Sequence, residues 1–247
     1  MLQAFFDDAD SFKDSGSLCL AGYVSDQQSW TAFSNDWSTL LKKHQIGYLH
    51  ISDFLSGQSP YRTVKLINDG RINTVSEFAQ VIRAHALFGI SVNVDTKAYK
   101  ELTARERKKL SVERFCFYRL LRKIIARIAQ CNPHEHLSIV FNDSTEYSTR
   151  FCSALRDLKI RKRAVRDAVA SISFANDAMV LPLQAAELLA SITTHEMRKG
   201  VREWLDSPFH DLLRCSYPFD QSCDEEFWDR DEIIKHIPSI RAATTRD

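Results

Sequence analysis

In the stretch QAFFDDADSF, Gln3–Phe12, two aromatic residues are followed directly by two aspartates, Asp7 and Asp8. Its apolar part, MLQAFF, predicts a short strand, and SLCLAGYVS (Ser17–Ser25) predicts a second strand after the polar turn DADSFKDSG. A hairpin is the simplest arrangement of the two. The first strand would then end on the aspartate pair, and strand ends are where open α/β sheets tend to place ligands.

Strands and helices alternate along the rest of the chain. Trp30, Phe33 and Trp37 follow Asp26 at helical spacing, which predicts an amphipathic helix capped by that aspartate, and IGYLHIS then returns to strand character. Further strands are predicted in ALFGISVNVD, EHLSIVFND and AVASISFAN, and further helices from about Thr74 to His85, from Ser111 to Gln130, in STEYSTRFCSALRDL and in LPLQAAELLASITTHEMRKG.

This alternation predicts an α/β fold with a mixed central sheet flanked by helices. We expect residues 1–200 to form the α/β domain and residues 201–247 to form a peripheral, helical extension. The chain has 247 residues, of which 44% are hydrophobic, so it can bury a substantial core. No apolar run approaches the roughly 18 residues of a membrane span, and no secretion signal is evident, so the predicted location is cytoplasmic.

Cysteine and charge limit the function classes. The six cysteines are scattered without a Cys-x-x-Cys pair, which predicts reduced packing residues and no structural zinc. The net charge is only +1, but nine Lys or Arg residues fall between Arg105 and Arg127, and six more in RDLKIRKRAVR, Arg156–Arg166. These basic helices are either solvated faces or a nucleic-acid surface. In the second case the contacts would come from Arg119, Arg122, Lys123, Arg161, Lys162 and Arg163.

Acidic residues recur where strands are predicted to end. Asp7 or Asp8 follows the first strand and Asp143 follows LSIVFN, while Glu187 lies three residues after Gln184 on one face of an otherwise apolar helix. Converging carboxylates repel one another unless they take up protons or bind cations. Mg²⁺ or Mn²⁺ prefers such oxygen ligands, and a pair of ions can hold the attacking and leaving oxygens of a phosphoryl displacement.

Each acidic residue also has a simpler interpretation. Asp7 and Asp8 can begin a turn, because aspartate bonds its own backbone there. Asp143 can cap the helix that begins in STEY. Glu187 can belong to a polar stripe that faces water.

The order of these segments resembles the domain-of-unknown-function family 3800, itself similar to a divergent branch of the ribonuclease H-like fold. The resemblance rests on a first strand leading into an acidic turn, on LAGYV, on the Trp-bearing segment SWTAFSNDW, on YLHISDF, on IVFND and on LQAAELLA. It spans roughly Leu2 to Ile192. Two features depart from the family pattern: the turn reads Asp7-Asp8-Ala9-Asp10 without Ser-Gly, and Glu187 stands in place of aspartate.

The resemblance implies a metal site and a reaction. Asp7 would be the first metal ligand, with Asp8 as its neighbour and Asp143 and Glu187 completing the set. A shifted alignment would place Asn142 at the family's acidic position and leave Asp143 one step out of register. His50 would contact substrate or transfer a proton, or it is a packed or capping histidine. The expected activity is that of a magnesium- or manganese-dependent nuclease acting on RNA or DNA with two metal ions. The alternative is an inactive module of the same fold that binds nucleic acid or protein.

Overall fold

A computed structural model of the chain describes residues 1–9, 16–59, 61, 68–101, 111–131, 135–143, 147–199, 224–229, 231–233 and 235. The strands are β1 (Leu2–Ala9), β2 (Ser17–Asp26), β3 (Phe88–Asp95), β4 (Leu137–Asn142), β5 (Val169–Ala175) and β6 (Asp224–Trp228). The helices are α1 (Gln27–Lys43), α2 (Ile51–Ser56), α3 (Asn68–His85), α4 (Thr96–Lys100), α5 (Val112–Cys131), α6 (Ser148–Arg161), α7 (Arg163–Ala168) and α8 (Leu181–Lys199).

The strands of the described residues form one mixed sheet in the order β5-β4-β1-β2-β3-β6. β2 runs antiparallel to both β1 and β3, whereas β4 is parallel to β1 and β5, and β6 is parallel to β3. The carboxyl ends of β1, β4 and β5 therefore lie side by side at the same end of their strands. The predicted class, α/β with a mixed central sheet flanked by helices, is confirmed.

Helices cover both faces of the sheet. We call the face packed by α1, α3 and α8 the site face, and the face packed by α5 and α6 the far face. Alternation along β2 divides its side chains between the two, because Cys19, Ala21 and Tyr23 belong to the site-face core and Leu18 and Leu20 to the far-face core. On β1 the same alternation places Phe5 on the site face and Phe6 on the far face.

A close approach of backbone fixes the β1–β2 hairpin. Gly22 pairs with Phe6, and a Cβ atom at Gly22 would lie 1.9 Å from the Phe5 carbonyl oxygen and 2.5 Å from Cδ1 of Phe6. Only glycine fits this position, whatever its dihedral angles. The AG pair in LAGYV is thus explained by strand packing.

Several predicted elements are confirmed and others need correction. Asp26 caps α1 as predicted, since its Oδ1 accepts a hydrogen bond from Ser29 N at 2.8 Å. β1 continues to Ala9, so Asp7 and Asp8 lie within the strand, opposite Ala21 and Leu20, and do not begin a turn. The strand predicted at IGYLHIS is wrong, because residues 46–50 are irregular and α2 begins at Ile51.

The carboxyl-terminal prediction also changes. Within the segment predicted to be helical, residues 224–228 form β6, which pairs in parallel with β3 at the edge of the sheet. Trp228 and Ile233 pack into the far-face core. That residues 201–247 form a peripheral extension of the domain remains a prediction. Among the described helices, none is long and apolar enough to cross a bilayer.

Candidate functional site

Asp7 is a buried acid near the carboxyl end of β1, with 4% of its surface exposed. Its Oδ1 accepts a hydrogen bond from Asp8 N at 2.8 Å, and the side chain of Asn142 also hydrogen-bonds its carboxylate. This contact follows from the parallel register, since Phe6 pairs with Phe141 and the next step sets Asp7 beside Asn142. Burial, followed by the negative charges of Asp8 and Glu187, raises the pKa of Asp7 well above its usual range.

Glu187 is a second buried acid, carried by α8 against the site face and 4% exposed. Its Oε2 accepts a hydrogen bond from Ile51 N at 3.0 Å, and its Oε1 accepts one from Ser191 Oγ at 2.8 Å. Burial raises the pKa of Glu187 to about 7, and the charges of Asp177 and Asp53 act in the same direction. The interpretation of this position as part of a water-facing stripe is therefore wrong.

Gln184, one turn before Glu187, holds three chain segments together. Its Oε1 accepts hydrogen bonds from Trp37 Nε1 at 2.9 Å and from Leu49 N at 3.0 Å, and its Nε2 donates to the Asp177 carbonyl oxygen at 3.0 Å. The side chain is completely buried. Gln184 and Glu187 thus accept hydrogen bonds from the backbone N–H groups of Leu49 and Ile51, which fixes the irregular segment against the helix.

His50 is the N-cap residue of α2, and its imidazole lies between the carboxylates of Glu187 and Asp53. Its Nε2 is 3.7 Å from Oε1 of Glu187, and its Nδ1 is 3.2 Å from Oδ2 of Asp53. The His50 backbone N–H donates to the Tyr61 hydroxyl at 2.8 Å, and that hydroxyl donates to the Tyr48 carbonyl oxygen. With 35% of its side chain exposed, the imidazole contacts both Glu187 and solvent.

The two remaining predicted ligands have other positions. Asp8 follows Asp7 on β1, so its side chain points away from the site face by strand alternation, although its charge still acts on Asp7. Asp143 is exposed one residue beyond Asn142, and its backbone N–H donates to the Ala175 carbonyl oxygen at 2.9 Å. It does not cap α6, whose N-cap residue is Tyr147. The structure thus brings Asp7, Glu187 and His50 together, and Asn142 is the β4 residue that joins them.

Sequence reasoning missed the contributions of Asp53 and Asp177, and it named Asn142 only through the shifted alignment. A signal for two of them was present, because Asn142 is the last residue of β4 and Asp177 follows the end of β5 by two residues. Since β1, β4 and β5 are parallel neighbours, polar residues at their carboxyl ends lie close together at the same end of the strands. Asp53 follows the predicted strand IGYLHIS directly, but that segment is not a strand in the structure, so its position depends on α2.

The predicted nucleic-acid contacts lie on elements of the far face. Arg119 pairs with Glu226 and stacks over Trp228 at 4.7 Å, and Lys123 Nζ is 3.9 Å from Oε2 of the same glutamate. Arg122 is exposed, as are Arg161, Lys162 and Arg163. The basic residues therefore do not surround the buried acids, and two of them are engaged with β6.

The donor set suits a hard cation, although the cluster is small. Asp7 and Glu187 supply carboxylate oxygens and Asn142 a carboxamide oxygen, which are ligands that Mg²⁺ and Mn²⁺ accept. In the part of the chain that the structure describes, no group of three or more His, Cys, Asp or Glu side chains has an arrangement suited to a metal ion. Two carboxylates and an amide fit one ion with water ligands; a second ion would need Asp53 or Asp177, whose charges act on Glu187.

Comparisons with known proteins give limited information. No family model matches the chain, and no curated protein matches it. Among solved structures, ribonuclease H2 from Pyrococcus horikoshii OT3 is similar, with 13% identity and a TM-score of 0.45, over 89% of this chain and 82% of that protein. At this level the similarity carries no functional weight, and the resemblance to family 3800 stays a prediction.

Proposed function

We propose that the protein is a divalent-cation-dependent phosphodiesterase, a nuclease that hydrolyses RNA or DNA. The supporting observation is that Asp7 and Glu187, 180 residues apart in sequence, are both buried, and that burial, with the charges of Asp8 and Glu187, raises the pKa of Asp7. Two buried carboxylates repel each other unless a proton or a cation lies near them. Asp7 lies near the carboxyl end of β1, beside the parallel strand β4, and such strand ends are where these sheets tend to bind ligands.

In this proposal Asp7 and Glu187 hold the cation. The Asn142 amide orients the Asp7 carboxylate, and the Ile51 N–H and Ser191 hydroxyl fix the rotamer of Glu187. When bound, Mg²⁺ or Mn²⁺ would supply Lewis-acid activation of water and neutralise charge on the phosphodiester. His50 is placed to accept a proton at Nε2 or to contact a phosphate oxygen, because it is half-exposed beside Glu187.

The test is cleavage of labelled single- and double-stranded RNA and DNA oligonucleotides with Mg²⁺ or Mn²⁺. We expect Asp7→Asn and Glu187→Gln each to reduce the cleavage rate at least about 100-fold. Removing one electrostatic contact to the transition state typically lowers the rate by this amount. Asp143→Asn is the matched control, since this aspartate is exposed, and it should retain activity within about two-fold.

Folding is measured beside activity. Asp7→Asn removes a buried charge, so in metal-free buffer its Tm should equal or exceed that of the wild type. Cleavage that persists in excess chelator, or that survives both substitutions, would exclude the proposed chemistry.

A second function is favoured by one specific observation. An amide, Asn142, stands beside Asp7 where the family resemblance implies an acid, and the described residues contain no three-membered metal cluster. This pattern fits an inactive module of the same fold that binds nucleic acid or protein. Oligonucleotide binding that does not require a cation, together with no cleavage under any condition above, would identify it.

A further inference from the structure

A groove of about 650 Å³ lies on the surface between the outer side of α6 and strand β5. Its floor is aliphatic, formed by Leu155, Ile160 and Ile172, and its rim is cationic, formed by Arg156, Lys159 and Arg166. None of these residues belongs to the candidate site. Because α6 packs on the far face, the groove is separated from Asp7 and Glu187 by the sheet.

The floor exposes apolar surface that folding has not covered. Ile160 is 74% exposed, one of the few large hydrophobic side chains that are exposed among the described residues. Isolated exposed apolar residues are common, but an isoleucine beside a concave aliphatic surface is typical of a contact site.

The rim carries an excess of positive charge. Between Arg156 and Asp167 there are six Lys or Arg residues and two carboxylates. Asp157 is shared by Arg156 and Arg114, and Asp167 by Arg163 and Arg166. Asp157 and Asp167 each pair with two arginines, so positive charge remains in excess. An anionic ligand would therefore be attracted to the groove.

The groove also borders a sheet edge. In the described ranges, β5 pairs with β4 alone, so its outer side is an edge with backbone donors and acceptors. Lys159 Nζ donates to the Ala170 carbonyl oxygen at 3.3 Å, which places a charged side chain over this edge. Such a charge discourages pairing with uncharged strands and favours acidic ones.

We propose that this groove binds an extended, acidic segment of a partner protein. The segment's aliphatic side chains would lie on Leu155, Ile160 and Ile172, and its carboxylates would pair with Arg156, Lys159 and Arg166. A nucleic-acid strand fits less well, because its bases stack on aromatic rings and the groove residues include none. The β5 edge offers an extended segment main-chain pairing of the kind used in strand addition.

The probe is a fluorescein-labelled short peptide in which Leu or Ile alternates with Glu. Two peptides of the same length serve as comparisons, one with Lys in place of Glu and one with Ser in place of the aliphatic residues. Fluorescence anisotropy should show saturable binding of the first peptide, with at least ten-fold weaker binding of both comparison peptides.

Variants locate the binding to the groove. Ile160→Asp, and separately the pair Arg156→Glu and Arg166→Glu, should raise the peptide Kd at least ten-fold. These side chains are exposed, so folding should be unaffected, and circular dichroism checks it. Arg83→Glu on α3 is the matched charge control, because Arg83 is exposed on the other side of the sheet. It should leave the Kd within two-fold.

Cys152 provides an independent readout, since it lines the groove and is exposed. Saturating acidic peptide should slow alkylation of Cys152 at least five-fold, as measured by mass spectrometry on the tryptic fragment that contains it. The Ile160→Asp variant should show no such protection.

Several results would overturn the proposal. They are equal binding of the Lys and Glu peptides, loss of binding in Arg83→Glu, unchanged binding in the groove variants, or a groove that binds a single-stranded oligonucleotide and does not bind the acidic peptide. None of these bears on cleavage, which depends on residues of the other face, so the proposed nuclease can fail or hold separately.

Discussion

The pKa of Glu187 links a single buried carboxyl to the stability of the whole chain. Its value of about 7 lies above the ordinary 4.5, so the folded protein binds a proton that the unfolded chain has already released in this range. The contribution of this group is fully present below about pH 4.5 and is lost as pH rises through about 7. A cation at the site would replace the proton and remove that loss.

We therefore expect the Tm of the metal-free protein to rise as pH falls from 8.5 to 5.5. Between pH 8.5 and 5.5 the Glu187 contribution to the free energy of unfolding should change by about 2 kcal/mol. Glu187→Gln should reduce the dependence, and Asp143→Asn should not change it. Burial also raises the pKa of Asp7, so a smaller slope of the same sign should remain in Glu187→Gln. Differential scanning calorimetry at several pH values measures the slope, and a slope in Glu187→Gln equal to that of the wild type would show that Glu187 is not responsible.

Asn142 is the residue at which the site can be strengthened. Asn142→Asp would set a third carboxylate against Asp7, so the variant should bind Mn²⁺ at least ten-fold more tightly and be less stable without metal. Isothermal titration calorimetry measures the affinity. Asn142→Ser is the control, since it shortens the side chain without adding charge, and an equal gain of affinity in that variant would contradict the electrostatic explanation.

At the scale of elements, α8 decides how the preceding segments fold. IGYLHIS has the composition of a strand, but Gln184 and Glu187 accept the N–H groups of Leu49 and Ile51, so the segment's backbone is satisfied by side chains instead of a neighbouring strand. These acceptors lie more than a hundred residues away in sequence, and local propensity cannot reveal them.

Gln184→Leu tests this role. The change leaves two buried donors, Trp37 Nε1 and Leu49 N, without their acceptor, and it should lower the free energy of unfolding by about 3 kcal/mol. Chemical denaturation measures the loss. In combination with Trp37→Phe the loss should be less than additive, because both changes remove one shared hydrogen bond; strict additivity would contradict the assignment.

The hairpin element has its own test. Gly22→Ala forces a methyl group against the Phe5 carbonyl and should cost at least about 2 kcal/mol of stability. Gly47→Ala is the matched control, because nothing lies within 4 Å of the added atom, and it should be close to neutral. Similar losses in both variants would show that glycine's flexibility matters and the close approach does not.

Much of the fold could be predicted because its signals are local. Asp26 precedes an apolar stripe and caps α1, and Pro182 falls in the first turn of α8. The candidate site is less predictable, because it depends on strand register. One step separates Asn142 from Asp143, and only the pairing of β1 with β4 shows that the amide is the residue beside Asp7.

For the whole molecule, the sheet separates buried acids from exposed cations. Reversal of Arg161, Lys162 and Arg163 to Glu should weaken binding of long nucleic acids and lower its salt dependence, while turnover of a short oligonucleotide stays within two-fold. Cleavage and anisotropy assays at two salt concentrations distinguish the two effects. Loss of short-substrate turnover with unchanged binding would place these residues in the reaction itself.

The parallel pairing of β1 with β4 has a consequence for synthesis on the ribosome. Leu2 pairs with Leu137, and at a translation rate of about 5–20 residues per second Leu137 is synthesised on the order of ten seconds after Leu2. During this interval β1 has an unpaired edge, and the ring of Phe6 lacks its partner Phe141 on β4. Newly made chains should therefore be bound by chaperones early, and productive folding should begin only after translation has passed β4.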